Sequence, residues 1–426
     1  MRKAIIRKPR HIDPFNEPAR ALSVLNKPLW QWQRDLLAPH CDSEIVVDDF
    51  SGIPRDQVET LVYSENLWFD EGFLTAFLQE ARRRGRPARA AFRAEDPAFL
   101  QQGLRALTRS YEQRGDLFYV DLWYFPNGPS DHVEPVIISS DAREVGYYHI
   151  PGYITGQKGG LVWWLPRRAV CAVDTWVHLF FINIVFGIFA QASWFEQRAS
   201  DPSFRMQARW RGLIEGKPPS ASSAYVKVGK NCSIDPSTIF QGPVFIGDNV
   251  TIGPGCVISQ CIIGKNVTLA HGNHFHMSVL ADNCFFPWGA SAYFSVFMEN
   301  STAGQNSSIE MSVIGRNSYI GAGTIFTDFN LLPIPLRSQV NYQLVEIDMP
   351  VLGACVGHNC RLGAGLVIYP ARMIESDVVL FTSPTRRVIM KNISYEESDH
   401  HATRAADLHP RLYPREHERE QAGSEW

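Results

Sequence analysis

The feature that most limits how this chain can fold is a six-residue period of aliphatic side chains between Val228 and Val379. Val228-Gly229 and Ile234 open it, and Ile246-Gly247, Ile252-Gly253 and Ile258 continue it. A five-residue step leads to Ile263-Gly264, Leu269 and Phe275; the phase returns at Ile314-Gly315, Ile320-Gly321 and Phe326, then at Val356-Gly357, Leu362-Gly363, Ile368 and Ile374. Six matches neither the turn of a helix nor the alternation of an ordinary strand. It matches a parallel β-solenoid with three short faces per coil, each face sending one aliphatic side chain inward. Glycine behind the inward residue is expected where the corner needs positive φ or leaves no room for a Cβ.

The pattern resembles the left-handed parallel β-helix of the hexapeptide-repeat superfamily, which includes acyltransferases, the acetyltransferase halves of sugar nucleotidyltransferases and γ-class carbonic anhydrases. The hand of the helix comes from that resemblance alone; related solenoids pack as trimers through flat faces, and a homotrimer is expected here. With 45% hydrophobic and 20% charged residues the composition is that of a globular protein, and a net charge of −3 offers no basic excess for nucleic acid. The eight cysteines, six inside the repeat, show no CxxC spacing and no secretory leader beside them, which reads as reduced thiols in a cytoplasmic protein.

The N-terminal part, residues 1–195, resembles an α/β sugar-1-phosphate nucleotidyltransferase domain. A strand at Arg2–Ile6, the Asn26-Lys27-Pro28-Leu29 turn and an amphipathic helix over Trp30–Leu37 follow one another in that family's order. The glycine-rich phosphate loop between them is replaced by Arg7-Lys8-Pro9-Arg10-His11-Ile12-Asp13-Pro14-Phe15, with no glycine before Gly52. Such a loop uses glycine so that backbone N–H groups close around phosphate, whereas proline removes donors. Val62–Asp70, a helix over Glu71–Arg84 and a strand at Ala88–Phe92 resemble the family's next elements, with Asn66 where the family has a magnesium-binding aspartate. Ala172–Trp176 resembles the turn that supplies the second metal ligand, on Asp174. The resemblance thus implies Lys27, Asn66 and Asp174 as substrate-binding positions, with Asn66 and Asp174 forming a reduced Mg site. The alternative for Asp174 is a helix N-cap.

Residues 176–195 approach bilayer-spanning length, but His178, Asn183 and Gln191 favour a buried helix. A peripheral membrane contact, with Trp163, Trp164, Arg167 and Arg168 as anchors, is the other reading. Residues 196–223 read as a connector, 224–393 as the β-helix, and 394–426 as a polar, solvated or disordered tail whose histidines lack metal spacing.

Chemistry in the solenoid is sought among polar residues interrupting the repeat. His271 and His276, with His274 between them, resemble the paired metal histidines of γ-class carbonic anhydrases, yet no upstream solenoid histidine supplies a third ligand. Ser312–Thr324 resembles the coil after the active site of N-acetylglucosamine-1-phosphate uridylyltransferase/acetyltransferases, and counting back puts the family's catalytic histidine on Gln305. Glutamine cannot be that base. His271, His276 or His358 are the candidate catalytic residues at a relocated site using acyl-CoA, His358 also reading as a solvated corner residue.

The repeat reads as broken at Phe285–Met298, rich in aromatics, and at Asp328–Arg337, a proline-containing loop. The surplus aromatics are expected to face outward, as a subunit interface or a ligand groove. The leading function is a transferase-family homologue that binds a sugar phosphate or nucleotide sugar, with both family sites eroded. An active acyltransferase, or a non-catalytic scaffold or membrane-surface protein, are the alternatives.

Overall fold

Three eight-stranded parallel sheets run through Val226–Ile389, one per face of a solenoid, and they fit a left-handed parallel β-helix. The computed structural model describes residues 1–100, 110–149, 160–190, 201–331, 334–340, 343–347, 349–403 and 406–418. Two units are distinguished: Met1–Ile12, Glu17–Pro151 and Gly159–His178 form one, and Asp13–Asn16, Gly152–Lys158 and Leu179–Trp426 the other.

In the solenoid the period becomes three inward columns. Ile246, Ile263, Leu280, Phe297, Ile314, Val356 and Ile374 are register partners on the first face. Ile252, Leu269 and Phe286 share the second face, and Ile258, Phe275, Ala292, Ile309, Phe326 and Ile368 the third. These residues form one buried core, and each fully buried aliphatic side chain contributes about 1.5–3 kcal/mol relative to an exposed one. Val228, at the open end, is left exposed.

The expected break at Phe285–Met298 is corrected: the coils continue through it, with strands at Val279–Leu280, Phe285–Trp288, Ser291–Tyr293, Val296–Phe297, Thr302–Ala303 and Ser308–Glu310. Phe286 and Phe297 point inward and are fully buried, and Phe294 is buried against Phe189, with ring centroids 6.2 Å apart. Room exists because Ala292 and Ala303 hold inward positions in the same coils. Phe275, Phe286 and Phe297 then stack edge to face, at 4.8 and 5.0 Å between centroids. Only Phe285, Trp288 and Tyr293 of the six aromatics remain outside. The second interruption is a true extrusion: after Ile325–Phe326 the chain leaves the coil, forms the hairpin Arg337–Val340/Gln343–Glu346 and re-enters at Cys355–Val356.

One corner carries a ladder of asparagines. Asn249, Asn266, Asn283, Asn300 and Asn317 all have φ between 56° and 62°, a left-handed conformation that asparagine tolerates better than most residues. Each amide donates to the next, at 2.9–3.0 Å.

The other unit is built on a mixed sheet in the order Glu134–Ile137, Ala88–Arg93, Leu117–Phe125, Thr60–Ser64, Arg2–Ile6, Ser43–Val47. Arg2–Ile6 is parallel to both neighbours, and Leu117–Phe125 is antiparallel to all three of its own, the third being Glu112–Arg114. Helix Leu29–Leu37 follows the Lys27-Pro28 turn, and helix Glu71–Arg84 is capped by Asp70, whose carboxylate accepts from Phe73 N.

The apolar run is α-helical over Trp176–Phe180 and continues as π-helical turns over Phe181–Phe189. Residues 176–190 are buried, and Asn183 is reconciled with that by donating to Leu179 O at 2.9 Å. Among the described residues no helix is long and apolar enough to cross a membrane; residues 191–200 lie outside them. Trp163 is also buried, so it is no surface anchor. The solvated tail expected from composition is corrected for residues 394–403 and 406–418. These form short 3-10 turns held to the solenoid by Arg415 on Glu375 (2.5 Å), Tyr413 N on Asp377 (2.7 Å) and His409 Nε2 with Asp377 O (3.1 Å). Its residues 419–426 lie outside the described residues.

Candidate functional site

Two polar constellations stand where chemistry is expected. In the mixed-sheet unit, Ser64 ends strand Thr60–Ser64 and Glu65 and Asn66 follow at its carboxyl end, a common location for ligand sites in open α/β sheets. Glu65 is buried and accepts the backbone N–H of Lys8 at 2.8 Å, with Arg20 at 3.5 Å. A carboxylate of the chain therefore holds a backbone donor that a phosphate loop would offer to its ligand. Asn66 donates through Nδ2 to Asp174 Oδ1 at 3.1 Å, and Ser110 gives its hydroxyl to Oδ1 (2.8 Å) and its N–H to Oδ2 (3.1 Å). The N–H groups of Asp174 and Thr175 are met by His178 Nδ1 at 3.2 and 3.1 Å.

The expected pair Asn66 and Asp174 is thus brought together, but as donor and acceptor. Magnesium takes oxygen ligands; both carboxylate oxygens already accept from Ser110, and the amide turns its N–H groups to the carboxylate, which leaves its buried Oδ1 facing away from Asp174 without a donor among the described residues. These residues do not fit the ion in this arrangement. Among the described residues no group of three His, Cys, Asp or Glu is placed to hold a metal. Lys27 is engaged elsewhere, in an exposed ion pair with Asp35 at 2.9 Å.

The second constellation lies on the outside of the solenoid. Parallel strands stack in register about 4.8 Å apart, so outward residues form columns. His274 and Ser291 are neighbours in one column, continued by Ser308; His276, Tyr293 and Glu310 form the next. At the corner His271 lies flat against Trp288, with ring centroids 5.8 Å apart and planes 5° apart. Asn306 N donates to Trp288 O, which puts Gln305 one coil further along.

Tyr293 receives both histidines: His276 at 5.2 Å and His274 at 5.7 Å between centroids. Burial, reinforced by the neighbouring His274, pushes the His276 imidazolium pKa down to about 4, so the ring is neutral at neutral pH. Glu310 is pushed the other way, to about 7, first by burial and then by the charge of Asp328; burial also raises Asp328. The column therefore presents a neutral imidazole, a phenol and a carboxyl group that resists ionisation, the kinds of group general acid–base work uses.

His358 is not on this surface, and its reading as a solvated corner residue is corrected. Its ring is fully buried, between Phe15 (4.9 Å) and Tyr413 (4.8 Å), and Nδ1 accepts from Arg316 N at 2.9 Å. Of the three candidate catalytic histidines, His271 and His276 lie on one coil and His358 is enclosed elsewhere. Sequence reasoning missed Tyr293, Glu310 and Asp328. The signal was available for the first two, since both follow His276 at the 17-residue coil spacing that the strand pairing shows.

Residues 225–260 and 243–276 match the family described as bacterial transferase hexapeptide (six repeats), and residues 350–370 match the hexapeptide repeat of succinyl-transferase. The solenoid thus carries transferase-type hexapeptide repeats, and the matches lie within it alone. No curated protein matches the chain. Among solved structures, the polysialic acid O-acetyltransferase OatWY is similar at 20% identity, covering 40% of this chain and 81% of its own, with a TM-score of 0.18. A hexapeptide transferase family protein from Anaplasma phagocytophilum is similar at 16% identity, covering 41% and 87%, with a TM-score of 0.17. At those scores neither bears on function.

Proposed function

We propose that the protein is a transferase-family homologue that binds a sugar phosphate or nucleotide sugar, and that nucleotidyl transfer at Asn66 and Asp174 is lost. The observation that carries this reading is internal satisfaction: Glu65 takes the Lys8 N–H, and Asp174 takes Ser110 and Asn66. Thermal-shift titration with nucleotide sugars, sugar phosphates and acyl-CoA tests the binding, and a pyrophosphorylase assay with magnesium tests the loss. Stabilisation by no sugar ligand overturns the first part; robust turnover overturns the second.

One observation favours a second reading, acyl transfer from acyl-CoA. Neutral His276 beside Tyr293 can take the proton of a substrate hydroxyl as its oxygen attacks the thioester carbon; the C–S bond breaks and the thiolate leaves with a proton. Release of free thiol from acetyl-CoA, abolished by His276→Gln, is the test. A homotrimer belongs to the same proposal, supported by exposed Phe285, Trp288 and Tyr293, and light scattering coupled to gel filtration checks it. A cytoplasmic location is proposed from the eight free thiols.

A further inference from the structure

Helix Pro202–Glu215 lies outside both constellations, and its two faces are both apolar. Phe204, Ala208 and Gly212 recur every fourth residue and are buried. Phe204 meets Tyr225 edge to face at 5.3 Å, and Gly212 approaches so closely that an added Cβ would lie 2.7 Å from Lys217 O. That stripe already seats the helix. On the opposite side Met206, Trp210, Leu213 and Ile214 fall at i, i+4, i+7 and i+8, which is again one face. They are 55%, 59%, 76% and 81% exposed. Scattered exposed apolar residues are ordinary, but four large ones on one helix face form a patch that needs a partner.

The charges beside the patch identify the partner. Arg205 and Arg209 border it on one side and Arg211 on the other, with Lys217 just past the end, and no acidic residue occurs between Asp201 and Glu215. Asp201 is held by Ser203, and Glu215 by Ser223. An apolar stripe with a tryptophan, flanked by arginines whose stems can lie along the same face, is the arrangement of a helix lying in a bilayer interface. A second copy of the chain would bring the same arginines against themselves, whereas anionic headgroups complement them.

We propose that helix Pro202–Glu215 docks the protein on the surface of an anionic lipid bilayer, with Met206, Trp210, Leu213 and Ile214 entering the interface and Arg205, Arg209 and Arg211 meeting headgroup phosphates. This goes beyond the sugar-binding reading and does not depend on it. Nothing in it requires a spanning segment, and it moves the membrane contact from Trp163, which is buried, to an exposed helix.

The test is co-sedimentation of the full-length protein with vesicles of phosphatidylcholine alone and of an about 3:1 mixture with phosphatidylglycerol. The wild type is expected to sediment with the mixed vesicles, and roughly tenfold less with phosphatidylcholine alone. Trp210→Ser with Leu213→Ser removes exposed side chains only, so the thermal transition stays in place while sedimentation is lost. Arg205→Gln with Arg209→Gln weakens binding to mixed vesicles about tenfold and leaves phosphatidylcholine unaffected. The proposal is overturned if the wild type stays in the supernatant with both vesicles, or if the Trp210→Ser/Leu213→Ser protein sediments like wild type. It is also overturned, in favour of self-association, if that variant only converts an oligomer to a smaller species while vesicle binding is absent throughout.

Discussion

The cluster around Asp174 and the column from His276 to Glu310 contain similar chemical groups and stand in opposite states. Around Asp174 both carboxylate oxygens have found donors inside the chain, Ser110 twice and Asn66 once, and only the buried Asn66 Oδ1 is left without one among the described residues. On the solenoid the groups are aligned by the repeat itself, since the in-register stacking of coils places His276, Tyr293 and Glu310 together whether or not they bond. The difference teaches how each fold manages polarity. An α/β loop cluster has the freedom to turn its polar groups toward one another, and then it contributes stability. A solenoid wall has no such freedom, so its outer columns remain available at little cost to the inside.

The largest effect expected from this comparison concerns that inside. Phe286→Ala should destabilise the protein by about 3–5 kcal/mol, because it removes the middle ring of a buried stack whose neighbours cannot close the gap. Trp288→Ala, two residues further on and 46% exposed, should change stability by only about 0.5 kcal/mol. Chemical denaturation measures both. Similar losses for the two would show that the outer columns do carry the fold.

Next in size is Asp174→Ala, which strands the N–H and hydroxyl of Ser110 and the amide of Asn66 and should cost about 2–3 kcal/mol. The matching change on the solenoid, His276→Gln, should cost much less while abolishing any acyl transfer. A D174A protein of unaltered stability would mean that the cluster is not closed and that its carboxylate is free for a ligand.

These pairs also mark what the residues alone made legible. The inward columns could be read wherever aliphatic residues kept the period, as at Ile246, Ile252 and Ile258. They vanished over 280–309 because the core there is filled by compensation, Phe286 and Phe297 against Ala292 and Ala303, and alanine is no hydrophobic signal. The approach of Asn66 to Asp174 was legible from resemblance, but the sense of their hydrogen bond was not, since it depends on Ser110. The burial of His358 was hidden for a different reason: Phe15 and Tyr413 cover it from the far ends of the chain. No local pattern reports such a contact.

A smaller effect separates the two titrating groups of the solenoid column. His276 has its folded pKa pushed down to about 4 from 6.5, so its contribution is present above pH 6.5 and is lost as pH falls through about 4. Glu310 has its folded pKa raised from 4.5 to about 7, so its contribution is present below pH 4.5 and is lost as pH rises through about 7. The wild type should therefore lose stability toward both ends of that range. Glu310→Gln should flatten the alkaline limb and His276→Gln the acid limb of a melting-temperature profile between pH 4 and 8. If the two substitutions altered the same limb, the assignment of opposite environments along one column would be wrong.

The smallest effect comes from the asparagine corner, a polar array more exposed than the half-buried His276 column and hydrogen-bonded along its length like the Asp174 carboxylate. Asn283 accepts from Asn266 and donates to Asn300, both at 3.0 Å, and holds φ at 62°. Two contributions can be separated there. Asn283→Gly keeps the left-handed corner accessible and loses only two solvent-exposed hydrogen bonds, which should cost about 0.5–1 kcal/mol. Asn283→Ala loses the same bonds and adds the strain of a Cβ at positive φ, about 1 kcal/mol more. The difference between the variants, read from denaturation midpoints, is the strain, and the glycine value alone measures the ladder. If glycine matches wild type, the amides merely trade partners with water, and exposure rather than satisfaction decides what a polar array on this solenoid contributes.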